Sequence, residues 1–447
     1  MLTISAARAV IDGRTVAATL TVRDGIIESI LEGTTTPGAD VVLGDDRVLL
    51  PGAVDTHVHL NEPGRTHWEG FATGTRAGAA GGVTTIIDMP LNCIPPTTTP
   101  EALATKRAAA RGKLAVDVGF WGGAVPDNLG HLAELWEAGV FGFKCFLLPS
   151  GVDEFAPLDP SQFAAAMTEV ARLDGLMIVH AEDQGTLEAA PHRPSRAYAD
   201  FLLSRPDAAE VAAIRRVIDT MRETGARTHL LHLSSARALE MIAAARTEGL
   251  PLTVESCPHY LCLEAEAIPD AAAQYKCCPP IRDHGNRDAL WQALEEGLID
   301  TVVTDHSPAG PEDKFAGGGD LQQAWGGIAG LQVGYTAMLD EAARRGHGPA
   351  DVAGWMAGAT ADLVGLTDRG RIAVGARADL VAYAPGTVTR VRAEDLEHRH
   401  PISAWDGRLL QGSIAGVWLA GTPYDRTTPP RGSELTRPRT PAQEASR

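Results

Sequence analysis

Short apolar, β-prone runs alternate with Ala-, Glu- and Arg-rich stretches through the central part of the chain. The runs are almost continuously hydrophobic, which is typical of parallel strands that are covered on both faces. Eight of them occur, at residues 53–57, 83–88, 114–119, 140–145, 176–180, 228–232, 252–256 and 300–304. The stretches between them have helical periodicity, at residues 101–111, 128–138, 161–173, 208–224, 237–248 and 287–296. Together these elements predict an α/β fold, a (β/α)8 TIM barrel.

An open, doubly wound sheet is the alternative for a chain in which strands and helices alternate. In that fold a Gly-x-Gly-x-x-Gly motif commonly follows the first strand, and no such motif stands there in this chain. We therefore favour the barrel. A polar, glycine-rich loop at 308–325 and further helical stretches to about residue 366 follow the last predicted strand.

The two terminal parts of the chain have a different pattern, with short β-prone runs that are broken by turns. The N-terminal runs are at 3–5, 19–22, 26–30 and 41–43, and the C-terminal runs are at 370–372, 378–383 and 413–419. Asp24-Gly25 is a hairpin signal. Because neither part can bury a core alone, we predict that both pair in one β-sandwich domain. The expected domains are 1–50 plus 371–425 for the sandwich, 51–370 for the barrel and 426–447 for a disordered tail rich in Pro, Thr, Arg and Ser.

Composition and charge exclude several classes of function. The net charge is −18 with no sustained basic stretch, which argues against nucleic acid or an anionic membrane as a partner. No apolar run reaches membrane-spanning length, and the first residues lack the pattern of a secretion signal. The six cysteines make no disulfide framework, so we expect a cytoplasmic protein. With nucleic acid and membrane excluded as partners, we expect a small-molecule substrate.

Metal-binding side chains stand where the predicted strands end. TIM-barrel enzymes place their chemistry at the carboxyl ends of the strands. His57 and His59 lie one strand step apart on the same side, so both can bind one cation. A single histidine at such a place is commonly an ordinary buried residue, but the group as a whole predicts a metal site. Its members are His57, His59, Lys144, His180, His232 and Asp305.

Lys144 is the unusual member of this group, since an ammonium cannot bind a metal and would repel one. A cation in an apolar strand also suffers a desolvation cost. If burial favours the neutral amine, that amine can add carbon dioxide and become a carbamate, whose two oxygens can bridge two cations. The alternative is a lysine whose ammonium reaches the solvent at the barrel rim.

The six side chains suggest a site with two metal ions. One would bind His57, His59 and Asp305, and the other would bind His180 and His232, with the lysine carbamate and a water between them. Two dications lower the pKa of a shared water and polarise a carbonyl. Asp305 would act as the general base that takes the proton of the attacking water and passes it to the leaving nitrogen. The predicted reaction is therefore the hydrolysis of an amide.

Motifs along the whole predicted barrel resemble those of the cyclic amidohydrolases, and within them most closely the allantoinase group. They lie at residues 57–70, 81–85, 89–92, 142–146, 254–260, 279–282, 305–308 and 324–330. The resemblance implies two divalent ions, usually Zn²⁺, bridged by N6-carboxylated Lys144. It also implies conversion of allantoin to allantoate in purine breakdown, and a homotetramer.

Two positions bear on which ring is opened. Dihydroorotases, which are similar, carry an arginine two residues after the second histidine for the substrate carboxylate, whereas this chain has the neutral Asn61. Hydantoinases and dihydropyrimidinases usually have a tyrosine after the bridging lysine, and residues 146–149 supply none. A neutral ring with an ureido group fits best. A hydantoinase or dihydropyrimidinase is the alternative enzyme, and a non-catalytic scaffold is the alternative class.

The resemblance also implies substrate contacts and residues that orient the metal ligands. Asn92 and the backbone around Cys278 and Ala329 stand where relatives contact the ring, and Asn61 joins them as the residue that replaces the arginine. Ordinary loop structure is the alternative for each. Three further polar residues are candidates for orienting ligands through hydrogen bonds; these are His67, Glu182 and His306.

Overall fold

The N-terminal part of the chain is a set of five strands. The computed structural model describes residues 1–427 and 429–438. The strands are β1 (Leu2–Ile11), β2 (Arg14–Arg23), β3 (Ile26–Glu32), β4 (Val41–Leu43) and β5 (Val48–Pro51). Strands β2 and β3 form an antiparallel hairpin. At its turn Asp24 and Gly25 have φ of 51° and 82°, the left-handed conformation that this dipeptide favours.

Nine further strands form a closed parallel barrel. They are β6 (Ala53–Val58), β7 (Val83–Asp88), β8 (Asp117–Phe120), β9 (Gly122–Gly123), β10 (Phe143–Phe146), β11 (Met177–His180), β12 (Thr228–Leu230), β13 (Leu252–Ser256) and β14 (Thr301–Val302). Each pairs in parallel with the next, except that β8 and β9 follow one another as a single interrupted strand. A parallel bridge between Val58 and His306 joins the last strand to the first. The eight predicted strands and the TIM barrel are confirmed.

The helices lie between the barrel strands and after the last of them. They are α1 (Phe71–Ala80), α2 (Pro100–Ala110), α3 (Leu132–Glu137), α4 (Pro160–Arg172), α5 (Gln184–Ala189), α6 (Tyr198–Ser204), α7 (Asp207–Thr224), α8 (Leu239–Thr247), α9 (Pro258–Cys262), α10 (His284–Glu295), α11 (Pro311–Lys314), α12 (Gly334–Arg344), α13 (Pro349–Ala353) and α14 (Ala359–Leu363). The six predicted helices all have counterparts. Of the helices within residues 1–427 and 429–438, none has the length and apolar character that crossing a membrane requires.

The C-terminal strands complete the sheet that the N-terminal strands begin. They are β15 (Leu380–Arg390), β16 (Leu409–Leu419) and β17 (Thr422–Pro423). The order of the sheet is β17-β16-β15-β5-β1-β2-β3, with β4 beside β1, so the two ends of the chain meet where β15 pairs with β5. Apolar residues from both ends pack in one cluster of their own. The predicted pairing of the terminal segments is confirmed, as one continuous mixed sheet, while the domain limits at residues 50 and 370 stay a prediction.

Residues 432–437 differ from the loose tail that the sequence analysis expects from residue 426. Gly432 donates to Leu114 O at 2.8 Å, and the backbone of β8 exchanges hydrogen bonds with Ser433 and Leu435 at 2.9 and 2.8 Å. A Cβ at Gly432 would lie 2.0 Å from a β8-side carbonyl oxygen, that of Val116, so only glycine fits there. This backbone pairing holds the segment although its composition is polar. The remainder of the predicted tail, residues 428 and 439–447, lies outside the described residues.

Candidate active site

The six predicted metal-binding residues lie around one cavity at the carboxyl ends of the barrel strands. The cavity has a volume of about 330 Å³. Three barrel strands (β6, β10 and β11) and the segments that directly follow β6, β12 and β14 bring the six together from positions up to 248 residues apart (57 to 305). The residues are His57, His59, Lys144, His180, His232 and Asp305. All six are buried.

His57, His59 and Asp305 form one ligand set. Asp305 Oδ1 lies 3.2 Å from His57 Nε2 and 3.7 Å from His59 Nε2. The three ligand atoms lie within 4.8 Å of one another. His57 Nε2 is buried, and within the described part of the chain it has no hydrogen-bond partner. An unpaired buried ring nitrogen beside a carboxylate is the arrangement that a cation would complete.

His180 and His232 form a second pair, with ring centroids 4.6 Å apart. His180 Nε2 lies 2.8 Å from a Glu182 carboxylate oxygen, which leaves its Nδ1 for a metal. His232 Nδ1 is buried and has no partner among residues 1–427 and 429–438. Burial lowers the pKa of both imidazoles below the ordinary value, so the rings are held in the neutral form that binds metals.

Two of these ligands have strained backbones. His232 and Asp305 have φ of 38° and 43°, in the left-handed region that residues other than glycine seldom adopt. Both follow the end of a barrel strand, where the chain must turn away while the side chain still faces the cavity. Such strain is commonly found where a binding site fixes the position of a side chain.

Lys144 lines the same cavity, and its charge acts on histidines of both ligand sets. It lies on β10, only 1% of its surface is exposed, and its Nζ lies 5.0 Å from the Phe146 ring centroid. Burial lowers the pKa of Lys144 to about 8, against the opposing charges of Asp305 and Glu255. A substantial neutral fraction near physiological pH is the state of the amine that can add carbon dioxide.

Asp305 shares the cavity with other buried acids. Burial, together with the nearby carboxylates of Glu255 and Asp55, raises the pKa of Asp305 to about 8 against the opposing charge of Lys144. Glu255 is likewise raised to a pKa of about 8 by burial. Without a cation, burial disfavours the ionised form of both carboxyl groups. A divalent cation would attract and stabilise the ionised carboxylates, so this set of side chains suits a metal ion.

Glu255 is a functional candidate that the sequence analysis did not identify. One carboxylate oxygen lies 2.5 Å from His57 Nδ1, and the other lies 3.0 Å from His229 Nε2. With Nδ1 engaged, the Nε2 of His57 faces Asp305 and the cavity. Glu255 therefore orients a proposed metal ligand. An acidic residue within the largely buried strand β13 was the available signal.

Replacing Glu255 by glutamine tests this orientation. We expect metal affinity to fall by about 10–100-fold, because the amide can no longer hold the protonated Nδ1 of His57 as a carboxylate does. Competition with a chelator measures the affinity, and Glu248→Gln on the exposed surface is the matched control. Unchanged affinity in Glu255→Gln would contradict the role.

Of the three predicted orienting residues, Glu182 contacts a metal-ligand candidate. Burial raises the pKa of its carboxyl, but Arg205 and His180 outweigh that effect and lower it to about 2. His306 instead faces Glu69, at 3.3 Å. His67 has one hydrogen bond in the described chain, through its backbone oxygen, so it does not reach the ligands.

The four predicted substrate-contact residues divide into two groups. Asn92 and Cys278 line the cavity, whereas Asn61 and Ala329 are not among the residues that line it in the described structure. Asn61 lies behind the wall, where it accepts a hydrogen bond from Asn92 at 3.2 Å, and the Ala329 carbonyl accepts one from Ser403 at 3.1 Å. Both residues are engaged within the protein, and direct substrate contacts from Asn61 and from the Ala329 backbone stay a prediction.

The backbone groups of Cys278, which the resemblance implies as ring contacts, are free among the described residues. Neither its N–H nor its C=O makes a hydrogen bond to any described residue. Two buried lysines fix the wall around it: Lys276 donates to Gln322 O and Ala324 O at 3.1 and 2.5 Å, and Lys314 donates to Trp325 O at 3.0 Å. The glycine-rich loop after β14, whose position the sequence left open, thus forms one side of the cavity.

A buried ion pair supports the loop that carries His59. Lys106 Nζ lies 2.5 Å from Asp88 Oδ2, and both side chains are fully buried. Asp88 Oδ1 accepts the backbone N–H of Leu60 at 2.7 Å. This pair ties α2 to the residue that follows His59.

Lys106→Met keeps the volume of the side chain but leaves Asp88 without its cation. We expect the free energy of unfolding to fall by about 3–5 kcal/mol, the usual cost of an uncompensated buried charge. Denaturant titration measures it, with Arg14→Met as the control, since its pair with Glu32 is exposed and contributes little. An unchanged free energy of unfolding in Lys106→Met would show that the pair does not stabilise the fold.

Comparison with known proteins agrees with this fold. The chain belongs to the amidohydrolase family, whose family model matches residues 48–423. It is 54% identical over 398 residues to the allantoinase of Streptomyces avermitilis, with 88% of each chain covered. It is 45% identical to the allantoinase of Saccharomyces cerevisiae, over 83% of this chain and 82% of that one.

The solved structures that it resembles have the same architecture. L-hydantoinase from Arthrobacter aurescens superimposes with a TM-score of 0.89 and 29% identity, over 98% of this chain and 100% of that one. A D-hydantoinase superimposes with a TM-score of 0.86 and 27% identity, over 98% and 99% of the two chains. The chain is therefore a hydrolase of the metal-dependent amidohydrolase type.

Proposed function

We propose that this protein is an allantoinase, which hydrolyses the cyclic amide of allantoin to give allantoate in purine breakdown. The observation that carries the proposal is the meeting of four histidines, one aspartate and one lysine around a single cavity. Relatives from a bacterium, a yeast and a plant that share 39–54% of its residues over most of the chain are allantoinases. Its substrate is a small molecule.

Two divalent ions fit the side chains of the cavity. His57, His59 and Asp305 would hold one, and His180 and His232 would hold the other. Lys144, carboxylated at Nζ, would lie between them. Imidazole nitrogens and carboxylate oxygens are ligands that Zn²⁺ accepts readily, which supports zinc as the metal. When bound, such ions supply an acidified water and polarise the carbonyl of the substrate.

Asp305 has the position for the proton transfers. Its carboxylate stands at the cavity beside His57 and His59, so it can take a proton from the attacking water and pass it to the ring nitrogen as the amide bond breaks. The amide carbon gains the water oxygen and loses the ring nitrogen. The ring opens to a single product, which carries a carboxylate and a second ureido group.

The Cys278 backbone would hold the ring. A cyclic ureide presents N–H donors beside C=O acceptors, and the free C=O and N–H of Cys278 complement them. Because the contact uses the backbone, a cysteine serves as well as another small residue. Asn92, which also lines the cavity and lies 3.5 Å from His59 Nδ1, would place an amide near the reacting carbonyl.

A hydantoinase is the second candidate, because the solved structures that superimpose well include hydantoinases. No phenol stands at the position after the bridging lysine in this chain. Phe146 instead stacks on His180, with ring centroids 4.6 Å apart and an interplanar angle of 19°. That side chain therefore packs against a ligand candidate and offers the substrate no hydrogen bond.

A substrate panel separates the two candidates. Purified protein is loaded with zinc in the presence of bicarbonate and is assayed with allantoin, hydantoin and dihydrouracil, while metal content is measured on the same sample. We expect the highest kcat/KM with allantoin. Metal-loaded protein that leaves allantoin unchanged, or that prefers dihydrouracil, would contradict the proposal.

We further propose a cytoplasmic homotetramer. The resemblance to cyclic amidohydrolases supports the tetramer. All six cysteines are free, which suits a reducing compartment. Light scattering on the purified protein tests the assembly, with four times the chain mass as the expected result.

A further inference from the structure

Arg205 brings a guanidinium to the cavity from a position next to the end of α6. Its Nε and Nη2 donate to the two Glu182 carboxylate oxygens at 3.0 and 2.6 Å. The third nitrogen, Nη1, has no partner among the described residues. The side chain is 20% exposed and lines the same cavity as the metal-ligand candidates.

Contacts to both the side chain and the backbone of Arg205 hold the guanidinium in one orientation. Glu182 is fixed because Oε2 also takes the His180 Nε2, at 2.8 Å. The carbonyl of Arg205 accepts from Arg282 Nη1 at 3.4 Å, and Arg282 Nη2 is itself held by Glu210 at 2.7 Å. A donor that is fixed before the ligand arrives loses little entropy when it binds.

Apart from Lys144, which belongs to the metal-ligand candidates, the other basic side chain of the cavity wall is Lys276, and it is already engaged. Lys276 donates to two backbone carbonyls of the loop after β14. Arg205 therefore supplies a donor that no described residue uses, on the same cavity as the free backbone of Cys278. Because the bidentate pair with Glu182 balances its charge, the free edge suits a neutral acceptor better than it suits an anion.

We propose that Arg205 determines specificity by donating a hydrogen bond from Nη1 to the carbonyl oxygen of the ureido substituent on the substrate. This inference rests on the proposed function, in which the ring is held by Cys278 near the metal ligands. The unsubstituted hydantoin ring lacks that carbonyl. A site that is built to hydrogen-bond a group discriminates against the analogue that lacks it, since the donor then stays unpaired.

The experiment compares two substrates across Arg205 variants. The kcat/KM for allantoin is divided by that for hydantoin in the wild type, Arg205→Lys and Arg205→Met, with metal content measured on each sample. If hydantoin turnover is below detection, its inhibition constant against allantoin takes the place of its kcat/KM. We expect the ratio to fall about tenfold or more in both variants, the usual effect of a lost hydrogen bond to a charged donor.

The ratio separates recognition from damage to the metal site. Loss of Arg205 also disturbs Glu182 and His180, but that damage affects both substrates equally. Arg216→Met is the matched control, because Arg216 pairs with the neighbouring Asp183 at 2.7 Å and does not line the cavity. Its ratio should equal that of the wild type.

Three outcomes have distinct meanings. A fall in the ratio in the Arg205 variants alone supports the inference. An unchanged ratio in Arg205→Lys and Arg205→Met, with wild-type protein active on allantoin, overturns the inference and leaves the proposed function intact. Wild-type protein that is metal-loaded but inactive on allantoin overturns the proposed function and the inference with it. Arg205→Lys keeps the cation beside Glu182, so the test stands even if Arg205→Met does not fold.

Discussion

Lys144→Ala is expected to lose metal and activity together, with kcat/KM lower by about 10²–10³-fold, the usual effect of removing a single charge-stabilising group. The reason is geometric. Lys144 is buried in the cavity that both ligand sets line, and an alanine there can neither carry a carboxylate nor bridge two cations. Metal content and steady-state kinetics on the same sample measure both effects.

Short carboxylic acids give this experiment its specificity. An acid that enters the space left by the side chain can replace the carbamate oxygens, so we expect formate or acetate to restore part of the metal content and activity. Lys113→Ala is the control, since that lysine is half-exposed and pairs with Glu62. If Lys144→Ala keeps both metal ions and full activity, the lysine does not bridge them.

Asp305→Asn is expected to lower kcat by about 10²–10⁴-fold, the range attributed to a positioned general acid or base. The amide keeps the size of the side chain and can still offer an oxygen towards His57 and His59, but it cannot accept the proton of the water. Metal content should therefore fall less than kcat does. Steady-state kinetics and metal analysis on one sample give the comparison.

Asp379→Asn is the matched control for that substitution. Asp379 is also buried and paired, with Arg377 at 3.0 Å, but it belongs to the part of the chain that joins the terminal sheet. We expect Asp379→Asn to lower the free energy of unfolding without changing kcat. A wild-type kcat in Asp305→Asn would exclude Asp305 as the base.

The barrel could be predicted from sequence because short apolar strands alternate with helical stretches. In such strands a metal-binding side chain at the end is easily recognised. His180 at the end of β11 and Asp305 just after β14 were found in this way. Since all parallel strands of a barrel end on one rim, a one-dimensional pattern was enough to predict that these side chains meet.

Glu182, two residues after His180, was a candidate from the sequence, but the other residues that act through a neighbour could not be predicted in this way. Glu255 meets His57 across 198 positions of sequence, and no local pattern relates the two. Arg205 follows a helix and has the sequence context of a surface arginine, although its guanidinium faces the cavity.

Two parts of the fold were also not predicted. Helix α1 is built from small residues without a clear apolar face, and residues 432–437 are held by backbone pairing, which composition does not reveal.

The most direct test of this account is a crystal structure of the protein prepared with zinc and bicarbonate, with anomalous diffraction recorded at the zinc edge. We expect two anomalous peaks, one beside His57, His59 and Asp305 and one beside His180 and His232, with density for a carboxylate on Lys144 Nζ between them. A bare Lys144 amine with no metal at these histidines would contradict it.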